Sequence, residues 1–231
     1  LENFARYGSE HAAIPLRPII ERLGSPEIVC LQELRVRPQD QELIQRLKSA
    51  LPGYVCGFAL ADDPKNVTFR GGRAYGVATY VREELSSLRW LTFDEDREGR
   101  VVVTEFVEHK LVLFNLYAVN GTSKPYYDHE LGRVEGDRHA FKRRFHQLIV
   151  QKAQPYMRQG FELVLMGDWN VSMTKLDIFP RLRTAPPHAQ ARAQLLQQVI
   201  PALDLVDAFR ELHPTDRKYT WFNRLAPAGT L

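Results

Sequence analysis

The run Phe161-Glu162-Leu163-Val164-Leu165-Met166-Gly167-Asp168-Trp169-Asn170 sets the terms for the rest of the chain. Its apolar residues, Leu163 to Met166, are cut off by Gly167 and followed at once by polar groups. A short apolar run closed by glycine predicts a strand buried on both faces. Asp168 and Asn170 then fall where the chain leaves the sheet. Residues two apart on extended backbone point the same way, so a carboxylate and a carboxamide are aimed at one spot at a sheet edge. The plainer alternative is an ordinary turn, because Gly, Asp and Asn all favour turns.

Other segments repeat the pattern. Glu27 to Glu33 is again a bounded apolar run that ends in a carboxylate, and Leu111 to Tyr117 ends in a phenol with Asn120-Gly121 just beyond. Val101–Val107 and Leu111–Tyr117, joined by Glu108-His109-Lys110, read as a hairpin. Tyr54–Leu60, Arg73–Val81 and Arg89–Phe93 read as further strands. Helical periodicity appears over Ile14–Leu23 and over Gln39–Leu51, the latter through Leu43, Ile44, Leu47 and Leu51. It is longest over Asp137–Gln154, with Phe141, Phe145, Leu148 and Ile149 as its buried stripe, and Pro155 should end or kink that helix. Ala189–Leu203 reads as a helix interrupted at Pro201, and Lys218–Phe222 as a short aromatic strand or loop. Strands and helices are mixed around an antiparallel hairpin, which argues for a layered α/β architecture rather than a parallel βαβ array.

The chain has 231 residues, 44% of them hydrophobic, enough for one sizeable core. No run approaches the roughly 20 apolar residues of a membrane-spanning helix. The opening Leu1–Glu10 does not read as a signal peptide, and the absence of a starting Met suggests a chain that begins inside a longer protein. The net charge of +3 does not by itself require a polyanionic partner. The cluster Arg133, Arg138, Lys142, Arg143, Arg144 and Lys152 could contact phosphates, or form a solvated helix face. Cys30 and Cys56 have no metal-site spacing and read as reduced, structural thiols of an intracellular protein.

The predicted strand ends supply Glu33, Tyr117, Asp168 and Asn170. If they lie side by side they make one acidic site. Such oxygen ligands suit Mg²⁺, or Mn²⁺ in its place, and the lack of accompanying His and Cys argues against zinc. A metal-neutralised phosphate, a carboxylate to orient or deprotonate water, and Asn and Tyr donors to phosphate oxygens together suit phosphodiester hydrolysis. Taken singly, Glu33 could be a surface carboxylate and Tyr117 a packing residue with a wet hydroxyl.

The segments Ile28-Val29-Cys30-Leu31-Gln32-Glu33, Tyr75-Gly76-Val77-Ala78, Glu98-Gly99-Arg100-Val101, Asn115-Leu116-Tyr117, Gly167-Asp168-Trp169-Asn170 and Tyr219-Thr220-Trp221 occur in an order that resembles the exonuclease III class of abasic-site (AP) endonucleases, within the endonuclease–exonuclease–phosphatase superfamily. The Lys175-Leu176-Asp177 and Leu182-Arg183-Thr184 loop looks like eukaryotic members. The resemblance implies a four-layered α/β sandwich, two packed mixed sheets flanked by helices, and a monomeric enzyme of the nucleus or mitochondrion. It makes Glu33 a metal ligand, Tyr117 the tyrosine at the scissile phosphate, Asp168 the nucleophile-activating aspartate and a second metal ligand, and Asn170 the asparagine beside it. Arg73, Tyr75, Arg143, Arg144 and Trp221 become DNA-contacting residues. The implied reaction is Mg²⁺-dependent cleavage of double-stranded DNA at abasic sites, with 3′-phosphodiesterase or 3′→5′ exonuclease action on 3′-blocked ends.

Departures accompany the match. The family's first-strand Asn, its Arg-Ile-Asp-Tyr-like strand and its Ser-Asp-His motif have no counterpart in these residues, and His213 lies upstream of Tyr-Thr-Trp. The expectation is a single domain over residues 1–231 without its first strand and C-terminal motifs. Two other readings stay open: the same scaffold acting on a 5′-tyrosyl-DNA, inositol-phosphate or sphingolipid substrate, and a catalytically silent DNA- or protein-binding module.

Overall fold

The structure, a computed structural model, describes residues 16–66, 75–85, 87–179 and 182–220. The chain forms two compact units. The first takes the residues up to Ala118, with Tyr126–Glu135 and Pro155–Trp169; the second takes Val119–Pro125, Gly136–Gln154 and the chain from Asn170 onward.

The first unit holds two sheets. In one, β1 (Ile28–Leu31) and β2 (Tyr54–Leu60) both pair antiparallel with the central β3 (Gly76–Arg82). In the other, the order is β4 (Leu88–Leu91), β5 (Val101–Phe106), β6 (Leu111–Tyr117) and β9 (Glu162–Asp168). The β5–β6 hairpin is antiparallel as expected, and β6–β9 is the parallel pair. Alternation along β3 serves two layers at once. Val81 meets Phe106 and Leu113 between the sheets, while Ala78 and Tyr80 pack with Ile44, Leu47 and Leu51. Ile44 and Leu47 lie on α2 (Gln41–Lys48), which follows the shorter α1 (Leu16–Arg22), and the Tyr80 hydroxyl donates to the Leu47 carbonyl at 2.6 Å. Burial pushes the Cys30 thiol up to about 11 and the Cys56 thiol up to about 12, so both stay protonated and structural.

Helix α3 (Arg138–Arg158) is longer than its periodicity predicted, because it continues through Pro155. A proline in the last turn removes only one interior hydrogen bond. That turn is also anchored: the Tyr156 hydroxyl donates to Glu105 Oε1 at 2.5 Å and its ring meets Phe114 edge-on at 6.0 Å. A second correction concerns β9. Among the described residues, the strand expected to be buried on both faces stands at the sheet edge, with half-buried and exposed residues, Met166 being 44% exposed. Among the described residues it pairs only with β6, and a four-residue apolar run cannot distinguish an edge position from a central one.

The short strands β7 (Pro125–Asp128) and β8 (Arg133–Asp137) form a ribbon that the polar sequence did not announce. The second unit adds α4 (Pro186–Gln194), which runs through a π-helical turn at Leu195–Val199 into α5 (Ile200–Ala202), and α6 (Ala208–Leu212). Pro201 is taken up inside this helical run: it has no N–H to donate one turn back, and the widened turn just before it absorbs the mismatch. Among the described residues no helix is long and apolar enough to cross a membrane.

Candidate active site

Strand ends converge in the first unit. β6 and β9 are parallel, so their carboxyl ends lie side by side, and their register pairs Tyr117 with Asp168. The Ala118 N–H donates to the Asp168 carbonyl at 2.8 Å. β9 reaches this position through Gly167, at φ +134°, where an added Cβ would stand 1.9 Å from the Leu116 carbonyl oxygen. Only glycine permits so close an approach of two backbones.

β1 contributes the facing group. Its ladder stops at Leu31, and Glu33 follows in the left-handed region at φ 56°. A non-glycine residue holds that conformation at a cost of about 1–3 kcal/mol. The turn brings the carboxylate to β6: the Tyr117 hydroxyl donates to Glu33 Oε1. Glu33 Oε2 accepts from an Arg35 guanidinium N–H at 3.2 Å. Burial first, and then the Glu33 carboxylate, hold the Tyr117 hydroxyl well above its ordinary titration range. Tyr117 is therefore held as a neutral hydrogen-bond donor at physiological pH.

Beneath the phenol lies a charge that the linear pattern did not assign to the site. Arg100 is 1% exposed and Glu98 3%, and Arg100 Nε donates to Glu98 Oε2 at 2.6 Å. A guanidinium N–H donates to the Tyr117 carbonyl at 2.8 Å, and the guanidinium lies 4.2 Å from the Tyr75 ring centroid and 5.1 Å from that of Tyr117. The two phenol rings are themselves tilted together with centroids 5.4 Å apart. Gly99 makes the turn possible: at φ +62°, a Cβ there would meet the Leu60 and Ala61 backbone at 2.4 and 2.5 Å. The Glu-Gly-Arg triplet was the sequence signal, but nothing in it announced a buried ion pair.

The second unit carries Asn170, also left-handed at φ 52°. Lys142 Nζ donates to its backbone carbonyl at 2.7 Å, and Arg183 donates to the same carbonyl and, at 2.8 Å, to its side-chain Oδ1. Lys142 also donates to the Asn120 carbonyl at 3.4 Å. Two members of the basic cluster are on neither a solvated nor an open face: Lys142 is 1% exposed and Arg138 5%, and backbone carbonyls replace the water around Lys142. Arg143 and Arg144 are both half-buried, and Arg143 donates to Gln190 Oε1 at 3.2 Å. Arg73 and Trp221 lie outside the described residues.

The model of the Endonuclease/Exonuclease/phosphatase family matches residues 5–231. The chain belongs to this family. It is similar to exodeoxyribonuclease III of Haemophilus influenzae, with 26% identity over 221 residues that cover 90% of this chain and 74% of the relative. Among solved structures it is similar to an AP endonuclease from Archaeoglobus fulgidus, at a TM-score of 0.60 and 20% identity over 91% of this chain and 73% of that one. It is similar also to a Neisseria 3′ phosphatase, NExo, solved with product DNA hairpin, at a TM-score of 0.64 and 20% identity over 91% and 74%. The structural likeness bears out the α/β sandwich expected from the sequence. Together the matches bear out the exonuclease III class and an enzyme of the nuclease-type hydrolases. None of these three relatives is eukaryotic, so the family match carries no support for a eukaryotic branch.

Proposed function

We propose that this family member is a divalent-metal-dependent DNA-repair phosphodiesterase that cleaves double-stranded DNA at abasic sites and trims 3′-blocked ends. The observation that carries the reading is the Tyr117–Glu33 hydrogen bond beside Asp168 at the ends of a parallel strand pair. Carboxyl ends of parallel strands are where α/β sheets place ligands. The names of the relatives, an exodeoxyribonuclease, an AP endonuclease and a 3′ phosphatase bound to a product DNA hairpin, support DNA as the substrate.

The donor set fits a hard cation. Glu33 and Asp168 offer carboxylate oxygens, and among the described residues no group of three or more His, Cys, Asp or Glu is placed to cage a metal. One or two carboxylates, with water completing the shell, is the arrangement Mg²⁺ favours. Mn²⁺ can take the same set. When bound, the ion offsets charge that builds on the phosphate oxygens. The chain's own groups do the rest. Tyr117, held protonated, donates to a non-bridging phosphate oxygen. Asp168 takes a proton from the attacking water as the water oxygen bonds to phosphorus and the P–O3′ bond breaks, the departing 3′-oxygen taking up a proton from solvent to leave a 3′-hydroxyl. On a 3′-phosphate the same step releases inorganic phosphate. The role of Asn170, two residues after that aspartate in sequence, is proposed on the resemblance alone. Tyr75, Arg143 and Arg144, with Arg73 and Trp221, are proposed as DNA contacts; of the basic residues on α3, Arg143 and Arg144 are not among the buried ones, Arg138 and Lys142.

The test is incision of a duplex carrying one abasic site, and of a hairpin carrying a 3′-phosphate, each with Mg²⁺ and with EDTA. Mg²⁺-dependent nicking or phosphate release that Asp168→Asn lowers by ~10³-fold or more, with DNA still bound, is the expected result. Retention of full activity by Asp168→Asn would remove that residue from the mechanism.

A further inference from the structure

The facing sheets of the first unit are joined by one fully buried carboxamide. Asn115, on β6, is 0% exposed. Its Nδ2 donates to the Ala78 carbonyl at 2.8 Å and to Thr79 Oγ1 at 3.1 Å, with the Leu31 carbonyl at 3.4 Å. Its Oδ1 accepts from Gln32 Nε2 at 2.8 Å. One side chain of β6 thus grips β3, the last residue of β1 and the residue just after it.

The placement is chemically uneconomical unless it does something. A buried amide is costly when unpaired and adds little net stability when paired. Leu113, two residues earlier on the same strand, is 1% exposed and packs between the sheets with Val81 and Phe106. An aliphatic side chain is therefore compatible with this layer. What the amide adds is direction: its bonds fix where β1 ends relative to β6. Two atoms of the proposed site hang on those points. Glu33 is the next residue after Gln32, and Tyr117 is the next residue after Asn115 on the same face of β6.

We propose that Asn115, with Gln32, is a positioning residue: it sets the separation of the Glu33 carboxylate and the Tyr117 hydroxyl, and so acts on the reaction through them without touching substrate. The inference rests on the reading of Glu33 and Tyr117 as reacting-site groups. A misplacement of about 1 Å at such a pair can cost on the order of 10²-fold in rate.

Asn115→Asp tests it, because it keeps the shape and the acceptor for Gln32 while removing the donor to Ala78 and Thr79. Leu113→Ala is the control: it weakens the same layer without touching the network. Two readouts are taken. One is the kcat and KM split on the abasic duplex. The other is the NMR signal of the Tyr117 hydroxyl proton and ring carbon, assigned by its absence in Tyr117→Phe. Asn115→Asp is expected to lower kcat by roughly 30- to 100-fold with KM within about twofold, and to shift or broaden the Tyr117 signal. Leu113→Ala is expected to lower the melting temperature at least as far while keeping kcat and the signal. If Asn115→Asp does not fold, Gln32→Leu, which removes only the bond to Oδ1, must move both readouts in the same direction. A folded Asn115→Asp with wild-type kcat and an unmoved Tyr117 signal overturns the proposal. If the wild-type protein turns over neither DNA substrate, the proposed reaction fails on its own, and the Tyr117 signal still decides whether Asn115 sets the contact.

Discussion

Replacing Arg100 by Met should destabilise the first unit through the charge it leaves behind. The side chain is 1% exposed, its partner Glu98 3%, and their contact is 2.6 Å. Removing one member of a buried pair leaves an uncompensated charge, at about 3–5 kcal/mol. The guanidinium also bonds the Tyr117 carbonyl at 2.8 Å and lies 4.2 Å from the Tyr75 ring centroid, contacts worth roughly 1–2 kcal/mol more that Met only partly replaces by packing. Glu98 can escape part of the penalty by taking up a proton, so about 4 kcal/mol is the expected total at neutral pH. For a chain of this size that is roughly 10 °C in melting temperature. Urea unfolding of Arg100→Met, Glu98→Leu and the double variant is the assay. Each single change should cost about as much as the other, and the double should cost clearly less than their sum, with ~2–3 kcal/mol of coupling. Additive losses, or an Arg100→Met cost below ~1 kcal/mol, would refute the account of Arg100 as half of a desolvated pair.

Other perturbations follow from single geometric facts. Gly167→Ala places a Cβ 1.9 Å from the Leu116 carbonyl oxygen, a backbone clash that no side-chain rotation relieves; urea unfolding should show a loss above ~3 kcal/mol, and a near-neutral result would mean that β9 does not approach β6 as closely as described. Tyr117→Phe removes the hydroxyl donor while keeping the ring against Tyr75, so kcat should fall by ~10²- to 10³-fold with DNA affinity retained, as read by steady-state incision and fluorescence anisotropy. His146 is fully buried, and burial, aided by Lys142, lowers its pKa from 6.5 to about 4. The unfolded chain then binds the extra proton between those values, so stability is present above about pH 6.5 and is lost as pH falls toward 4, by about 3 kcal/mol at most. His146→Leu should flatten that part of the wild-type stability curve; an unchanged slope between pH 6.5 and 4 would exclude His146 as its source.

Much of the fold was legible because the relevant signals are local. Leu111–Tyr117 matches β6 at both ends, since Lys110 and the polar residues after Tyr117 bound one continuous apolar run. Gln39–Leu51 contains α2 because its apolar residues repeat at helical spacing. What the chain concealed is tertiary. The burial of β9 depends on how many strands flank it. The burial of Lys142 depends on carbonyls at Asn120 and Asn170, far away in sequence. Pro155 reads as a stop, yet Tyr156 is held by Glu105 and Phe114 on the opposite side of the chain order. In the candidate site, the strand-end rule placed Tyr117 and Asp168 at the ends of β6 and β9 and Glu33 just after β1, where the structure has them. It could not find the Arg100–Glu98 pair, because a charged triplet before a strand ordinarily marks a solvated turn.

The protonation state of Tyr117 constrains the chemistry more than its position does. A phenol that is to act as a base needs its pKa drawn down toward neutrality by a nearby cation. Arg100 works in that direction, but burial and the Glu33 carboxylate outweigh it, and the hydroxyl stays protonated far above neutral pH. The same hydrogen bond that holds the proton on Tyr117 directs it at a carboxylate, so the phenol is prepared to donate. Glu33 accepts that bond on one oxygen and Arg35 on the other, which places it as an anchor for positive charge. In the proposed reaction, proton removal from water is assigned to Asp168, the carboxylate paired in register with Tyr117. This division ties donation to β6, charge anchoring to the turn after β1 and base chemistry to β9. It requires that Tyr117→Phe, which removes a donor, lower kcat less than Asp168→Asn, which removes the proposed base.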